Sequence, residues 1–202
     1  MSKAEKIMKK KQFIKKEMDR QISAELSDKI WKQSTTVLTR ILQKYADIPE
    51  GVHSHTDVFI FPSAAIYITA QKYVSKEQAY SFIEKAAAEK TEKLGKMLAK
   101  IMVLPFMRDI FIRMMDKMTK KNFGKECGFR NRFYPKKKGE YRMDILACPY
   151  CKYFTELGCP ELTKIFCDND ERGYGNLPGL KFERKTTLGK GGDHCDFYFH
   201  KI

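Results

Sequence analysis

Ile14, Met18, Ile22, Leu26 and Ile30 recur every fourth residue, and Leu38, Ile41 and Tyr45 carry the stripe on at helical spacing with Trp31 beside it. After Lys121 the apolar pattern switches to alternation, as in "GEYRMDILAC" and "CDFYFHKI". A period near 3.6 demands helices with one buried face, and a period of 2 demands strands. This change of period constrains the fold more tightly than any motif in the chain. The class expected is α+β: a helical N-terminal half packed on an antiparallel sheet of about four strands, with two short helices inserted. A chain of 202 residues that is 43% hydrophobic can build a core without disulfides or a bound metal. No repeat or low-complexity linker interrupts it. The expected organisation is a single domain over 1–202, with 1–48 as an amphipathic helical segment and 122–202 as the Cys-rich, sheet-forming half.

Within the front half, a break in the first long helix is expected near residues 33–36. A turn is expected at Pro49-Glu50-Gly51. The segment "VHSHTDVFIF" reads as a short strand or an irregular crossing. Ser75 with Gln78 has the form of an N-cap and capping box for a helix over 76–102. Pro105 then kinks or breaks the chain before a helix over 106–121, whose Met114, Met115 and Met118 suit a core or a ligand wall. In the rear half, "CGFRNRFY" and "GEYRMDILAC" predict two strands joined by the basic "PKKKG" turn. Helices over 149–157 and 160–171 follow. "LKFERKTTL" and "CDFYFHKI" predict two more strands, joined by "GKGGDH".

The formal net charge is +14, which favours acidic partners: nucleic acid, an anionic membrane face or a small anionic ligand. The lysines are dispersed over helix faces, and no basic helix has the pattern of a DNA reader, so the charge is expected to be a solvated surface. Residues 1–20 contain no apolar core of a signal peptide, and no uncharged apolar run reaches membrane-spanning length. A soluble cytoplasmic protein with reduced cysteines is the expectation. The Lys-flanked N-terminal stripe could lie on a membrane surface, but docking onto the rest of the domain suits it better.

Four of the six cysteines fall in "CPYCKYFTELGCPELTKIFCDND". Cys148-Pro149 and Cys159-Pro160 each put a thiol before a proline suited to the first helical position, where the helix dipole would lower a thiol pKa. As metal ligands the spacing is C-x2-C-x7-C-x7-C, with one close pair and no second. As a redox motif, C-P-Y-C between a strand and a helix resembles the active site of glutaredoxins. The stretch after it lacks the strand that such a fold needs before its Pro-loop. Cys148 and Cys151 therefore carry the redox or metal reading. Further along, Cys167 shares a helix face with Thr163 and with Asp170. In the last strand Cys195, Phe197 and Phe199 point one way, and Asp196, Tyr198 and His200 the other. Cys195 is either a small core hydrophobe or part of a cluster with Asp193 and Asp196 at the strand's start. The four histidines, His53 and His55 among them, read as surface residues.

Several short stretches in register carry a family resemblance: Cys151, Glu161-Leu162 after Pro160, Cys167 followed by Asp170, "LKFERKTTL", and Gly192-Asp193 leading into Cys195-Asp196-Phe197. Together, over roughly residues 141–200, they resemble the L-2-amino-thiazoline-4-carboxylic acid hydrolase family. The resemblance implies a hydrolase that adds water to a small cyclic amidine bearing a carboxylate, opens the C–S bond and releases an N-carbamoyl-cysteine-type product, with no cofactor and no metal demanded. It implies Cys167 as nucleophile or sulfur contact, with Asp170, Glu161 and Asp193 as acid/base candidates and Cys195 in the catalytic set. Arg184, Cys151 and Asp196 are the candidates for holding a small anionic substrate. The "G-D-x-C-x-F-x-F" ending is also similar to that of some ligand-binding and trafficking modules, which keeps a non-catalytic sensor as the alternative.

Overall fold

The computed structural model describes residues 1–202. Its architecture is α+β, helical in front and closed at the rear by a four-stranded antiparallel sheet. The front begins with α1 (Lys3–Lys9), and the first stripe forms two helices, α2 (Gln12–Gln21) and α3 (Ala24–Lys44). The break falls at Ile22-Ser23, not at 33–36. Ile22 is extended, and the Ser23 side chain caps α3 by accepting from the Leu26 N–H. Residues 33–36 stay helical because Ser34 lies on the buried face of α3 between Ile30 and Leu38. Its Oγ donates to the Ile30 carbonyl at 2.8 Å, and Thr35 Oγ1 donates to the Trp31 carbonyl at 3.0 Å, so both hydroxyls are satisfied within the helix.

The "VHSHTDVFIF" segment is not a strand. It runs from α4 (Glu50–His55) through a π turn (Thr56–Ile60) into α5 (Phe61–Ala70). α5 is apolar nearly all round and is buried along its length, which explains the missing helical stripe in its sequence. Gly51, expected in a turn, lies inside α4. A Cβ there would sit 2.3 Å from the Glu126 carbonyl oxygen, so glycine lets α4 close onto the 3-10 turn Lys125–Cys127. α6 (Lys76–Met102) begins at the expected cap, with Ser75 Oγ accepting from the Gln78 N–H at 3.1 Å. The helix is broken rather than kinked at Pro105: α6 ends at Met102, and Pro105 occupies the first turn of α7 (Pro105–Asn122).

The strands are β1 (Arg130–Phe133), β2 (Glu140–Ala147), β3 (Leu180–Glu183) and β4 (Cys195–Lys201), in spatial order β1-β2-β4-β3. Between β2 and β3 the chain leaves the sheet to form α8 (Pro149–Glu156) and α9 (Leu162–Tyr174). Met143 lies opposite Phe197 and Ile145 opposite Cys195, so the buried face of β2 and β4 is continuous.

Two apolar cores result. The larger, 25 buried residues, joins α1–α6 to α8 and the start of α9; the smaller, 14, lies between the sheet, α7 and the end of α6. Tyr150 packs against both. Cys148, Cys151, Cys167 and Arg184 gather around this junction, as described next.

Candidate active site

α8 begins directly off the end of β2, and α9 packs along α6 before the chain turns into β3. These connections bring the first turn of α8, the middle of α9 and the loop between β3 and β4 to one place. Arg184, just past β3, is the fixed point. Its side chain is only 1% exposed, and its guanidinium lies 5.5 Å from the Phe182 ring centre and 5.3 Å from that of Phe197. One terminal N–H donates to Asp170 Oδ2 at 2.7 Å, and the other donates to the Cys167 carbonyl. A buried cation is tolerable only when paired and hydrogen-bonded, and these two bonds tie it to α9. The Nε–H alone lacks a partner.

Burial pushes the Asp170 carboxyl up to about 6, with the Arg184 charge opposing and Glu171 assisting. The carboxyl is packed about by protein, yet 34% of the side chain still meets solvent. One turn earlier on α9, Cys167 moves the other way, down to about 7. The main cause is a hydrogen bond from the Cys195 thiol, and burial opposes it. The Thr187 hydroxyl and the Arg184 charge lower it further, while Asp170 raises it. Thr187 Oγ1 is buried beside this sulfur with no hydrogen-bond partner of its own. Cys195 is driven up by the same bond and is itself held by the Leu188 N–H, 3.2 Å from its sulfur. Gly189 completes the pocket wall: a Cβ there would stand 2.7 Å from the Cys167 sulfur and 2.9 Å from the Thr163 methyl.

A second thiol pair repeats the pattern. Cys151 is lowered by hydrogen bonds from Cys148 and Thr163, against burial and the neighbouring Cys167, and Cys148 is raised correspondingly. Sequence position alone predicts that both helix-start thiols, Cys148 and Cys159, are lowered. Both are raised. Cys159 is fully buried and reaches about 12, so desolvation outweighs the helix dipole there. At Cys148 the bond it donates to Cys151 is the larger cause, with burial second. Four of the six cysteines form these two pairs, and no three or more His, Cys, Asp or Glu side chains are grouped as a metal-ligand set.

The histidines read as surface residues include one that is not. His55 is 6% exposed. Its Nε2 lies 2.7 Å from the Asn122 carbonyl oxygen, which can only accept, so Nε2 carries the proton. Nδ1 is then an acceptor, and the Tyr150 hydroxyl, 3.1 Å away, donates to it. Burial lowers the His55 pKa and keeps the imidazole neutral. The chain Asn122–His55–Tyr150 ends beside Cys148 and Asp170, whose charges both act on the Tyr150 hydroxyl. Tyr150 stood in view inside C-P-Y-C, but its partner lies 95 residues away.

The remaining candidates sit elsewhere. Glu161 precedes α9, about 9 Å along the helix from Cys167, where it accepts from Tyr67 at 2.5 Å and pairs with Lys76 at 2.6 Å. Asp193 is 89% exposed on the surface loop and pairs with His194. The Asp196 carboxylate accepts from the Lys185 and Thr186 backbone N–H groups at 2.8 to 3.0 Å and so pins the loop that follows β3. A cavity of about 930 Å³ lies apart from all of these, between α7 and the β1–β2 turn. It is an open, charged groove whose Asp109 and Asp116 are already paired with lysines. The perturbed thiols and carboxyl mark the chemistry better than the groove's volume does.

No curated protein and no solved structure matches this chain. A family model described as L-2-amino-thiazoline-4-carboxylic acid hydrolase matches residues 53–199. The match reaches well into the helical front and takes in His55, Tyr150, both thiol pairs, Asp170 and Arg184. The chain belongs to the L-2-amino-thiazoline-4-carboxylic acid hydrolase family.

Proposed function

We propose that the protein hydrolyses a small cyclic amidine bearing a carboxylate, L-2-amino-thiazoline-4-carboxylate or a close analogue, to an N-carbamoyl-cysteine-type product. The observation that carries this reading is the meeting of a thiol lowered to about 7 with a carboxyl raised to about 6 on one turn of α9. A nucleophile and an acid whose environments push them toward neutrality from opposite sides suit acid-assisted ring opening.

In this reading the Cys167 thiolate attacks the ring carbon between nitrogen and sulfur. The ring C–S bond breaks, and the departing sulfur takes the proton of Asp170. An isothiourea linked through Cys167 remains. Water then attacks the same carbon. Its proton passes to Tyr150 as the Tyr150 proton moves to His55 Nδ1. The His55 proton returns through Tyr150 to the former ring nitrogen, the bond to the Cys167 sulfur breaks to regenerate the thiolate, a urea carbonyl forms, and the hydroxyl proton passes to Asp170. One water is consumed, and no atom is oxidised or reduced. Arg184 positions Asp170 and places its charge beside the site, where it favours a bound carboxylate. Cys195 steadies the Cys167 thiolate. Glu161, Asp193 and Asp196 take no part, since each is engaged elsewhere.

The test is thiol release. Reduced, desalted protein is incubated with L-2-amino-thiazoline-4-carboxylate, and the new product thiol is followed with Cys167→Ala and Asp193→Asn alongside. Release by the wild type and Asp193→Asn, with a loss of at least about a thousandfold in Cys167→Ala, is expected. Release by Cys167→Ala at the wild-type rate would remove Cys167 as nucleophile. No release by any folded sample would remove the substrate. A second reading rests on the two thiol pairs: reversible disulfide exchange at Cys148/Cys151. Mass mapping after treatment with oxidised glutathione separates the two, because a hydrolase of the kind proposed turns over with all six cysteines reduced.

A further inference from the structure

Eight of the thirteen large hydrophobic side chains exposed on this protein fall within residues 94–114. Met97 and Ile101 lie on the last turns of α6, Val103 and Leu104 form the turn, and Phe106 and Ile110 lie on the first turns of α7. Val103 is 60% exposed and Phe106 59%. These residues are not a core face left over from folding. The same two helices already commit Met102, Phe111, Ile112 and Met115 to the sheet core. Single exposed apolar residues need no explanation, but a run of them around one turn marks a contact surface.

The charge beside the patch says which surface. Lys96, Lys100, Arg113 and Lys117 are all exposed around it. The only carboxylate in residues 93–114 is Asp109, and Lys201 holds it at 2.7 Å. Two copies of the chain meeting through this tip would bring like charges together. No helix here is long and apolar enough to cross a membrane. Apolar side chains at a turn, flanked by exposed cations, with Asp109 and Asp116 each held by lysines, fit the boundary between lipid headgroups and acyl chains.

We propose that the α6–α7 tip docks on an anionic membrane surface, with Val103, Leu104 and Phe106 entering the headgroup layer and the lysines beside them contacting acidic headgroups. Sedimentation with phosphatidylcholine vesicles, with and without phosphatidylserine, tests it on the full chain. The protein is expected to pellet with the phosphatidylserine vesicles, less so as salt rises, and far less with pure phosphatidylcholine. The triple variant Val103→Ser, Leu104→Ser, Phe106→Ser should bind at least about tenfold more weakly. Lys96→Glu with Lys100→Glu should lose the preference for phosphatidylserine. All these positions are exposed, so the variants should keep the wild-type circular dichroism. Failure of the wild type to pellet, or equal pelleting by the triple variant, overturns the proposal. So does a wild-type dimer in analytical ultracentrifugation that the triple variant dissolves, since the patch would then belong to a second copy.

Discussion

The helical core and the sheet core are built to different rules. Ten of the twelve largest fully buried side chains lie in the helical core, among them Phe61, Tyr67 and Phe82. Five buried side-chain polar atoms lack a hydrogen-bond partner. Only Ser27 Oγ is in the helical front; those of Asn131, Asp144, Arg184 and Thr187 all belong to the sheet half. Buried polar groups are normally satisfied, and a cluster of exceptions asks for a reason. The helical core has no such tension and serves as the support. The sheet half holds a buried guanidinium, a raised carboxyl and paired thiols in one place, an arrangement that weakens a core and prepares a site.

Substitutions should separate the two. Phe61→Ala, in the helical core, should cost about 3–5 kcal/mol in urea unfolding while leaving kcat per folded molecule unchanged. Should it lower kcat without unfolding the protein, the helical half would be more than a support. Arg184→Met should cost about 2 kcal/mol, less than a fully buried pair, because Asp170 keeps solvent contact and can protonate. Unlike Phe61→Ala, it should also abolish turnover. Tyr150→Phe should change stability by about 1 kcal/mol or less and lower kcat about 10- to 100-fold, since it removes the hydroxyl that links water to His55.

The pH dependence sharpens the contrast further. The Cys167 thiolate is gained as pH rises through about 7, and the Asp170 acid form is lost as pH rises through about 6. The competent form, thiolate with protonated acid, therefore peaks between the two, and kcat/KM should be bell-shaped there. Asp170→Asn should lower the rate and remove the alkaline limb while the acid limb remains.

Much of this fold was legible in local chemistry. α6 is bounded in the sequence by Ser75 and by Pro105, and the alternation in "CDFYFHKI" names the buried face of β4 correctly. The reading failed where tertiary contacts overrule local preference. α5 shows no stripe because it is surrounded, and the polar stretch at 33–36 stays helical because Ser34 lies on the buried face of α3 between Ile30 and Leu38. The site divides the same way. Cys167 and Asp170 share a helix face that spacing alone reveals. Nothing local shows that Glu161 is taken by Tyr67 and Lys76, or that Asp196 pins a loop. His55 meets Tyr150 only after the chain has folded.

The central claim is that, of the two thiols lowered by a cysteine partner, Cys151 and Cys167, it is Cys167, beside the raised Asp170 carboxyl, that is set for chemistry near neutral pH. Alkylation of the native protein by iodoacetamide, resolved by residue with mass spectrometry across pH, tests it without assuming a substrate. Cys167 should label with a midpoint at about 7, while buried Cys127, Cys159 and Cys195 resist. A Cys167 midpoint at or above the ordinary thiol value of about 8.5, or faster labelling of Cys195 than of Cys167, would contradict the account.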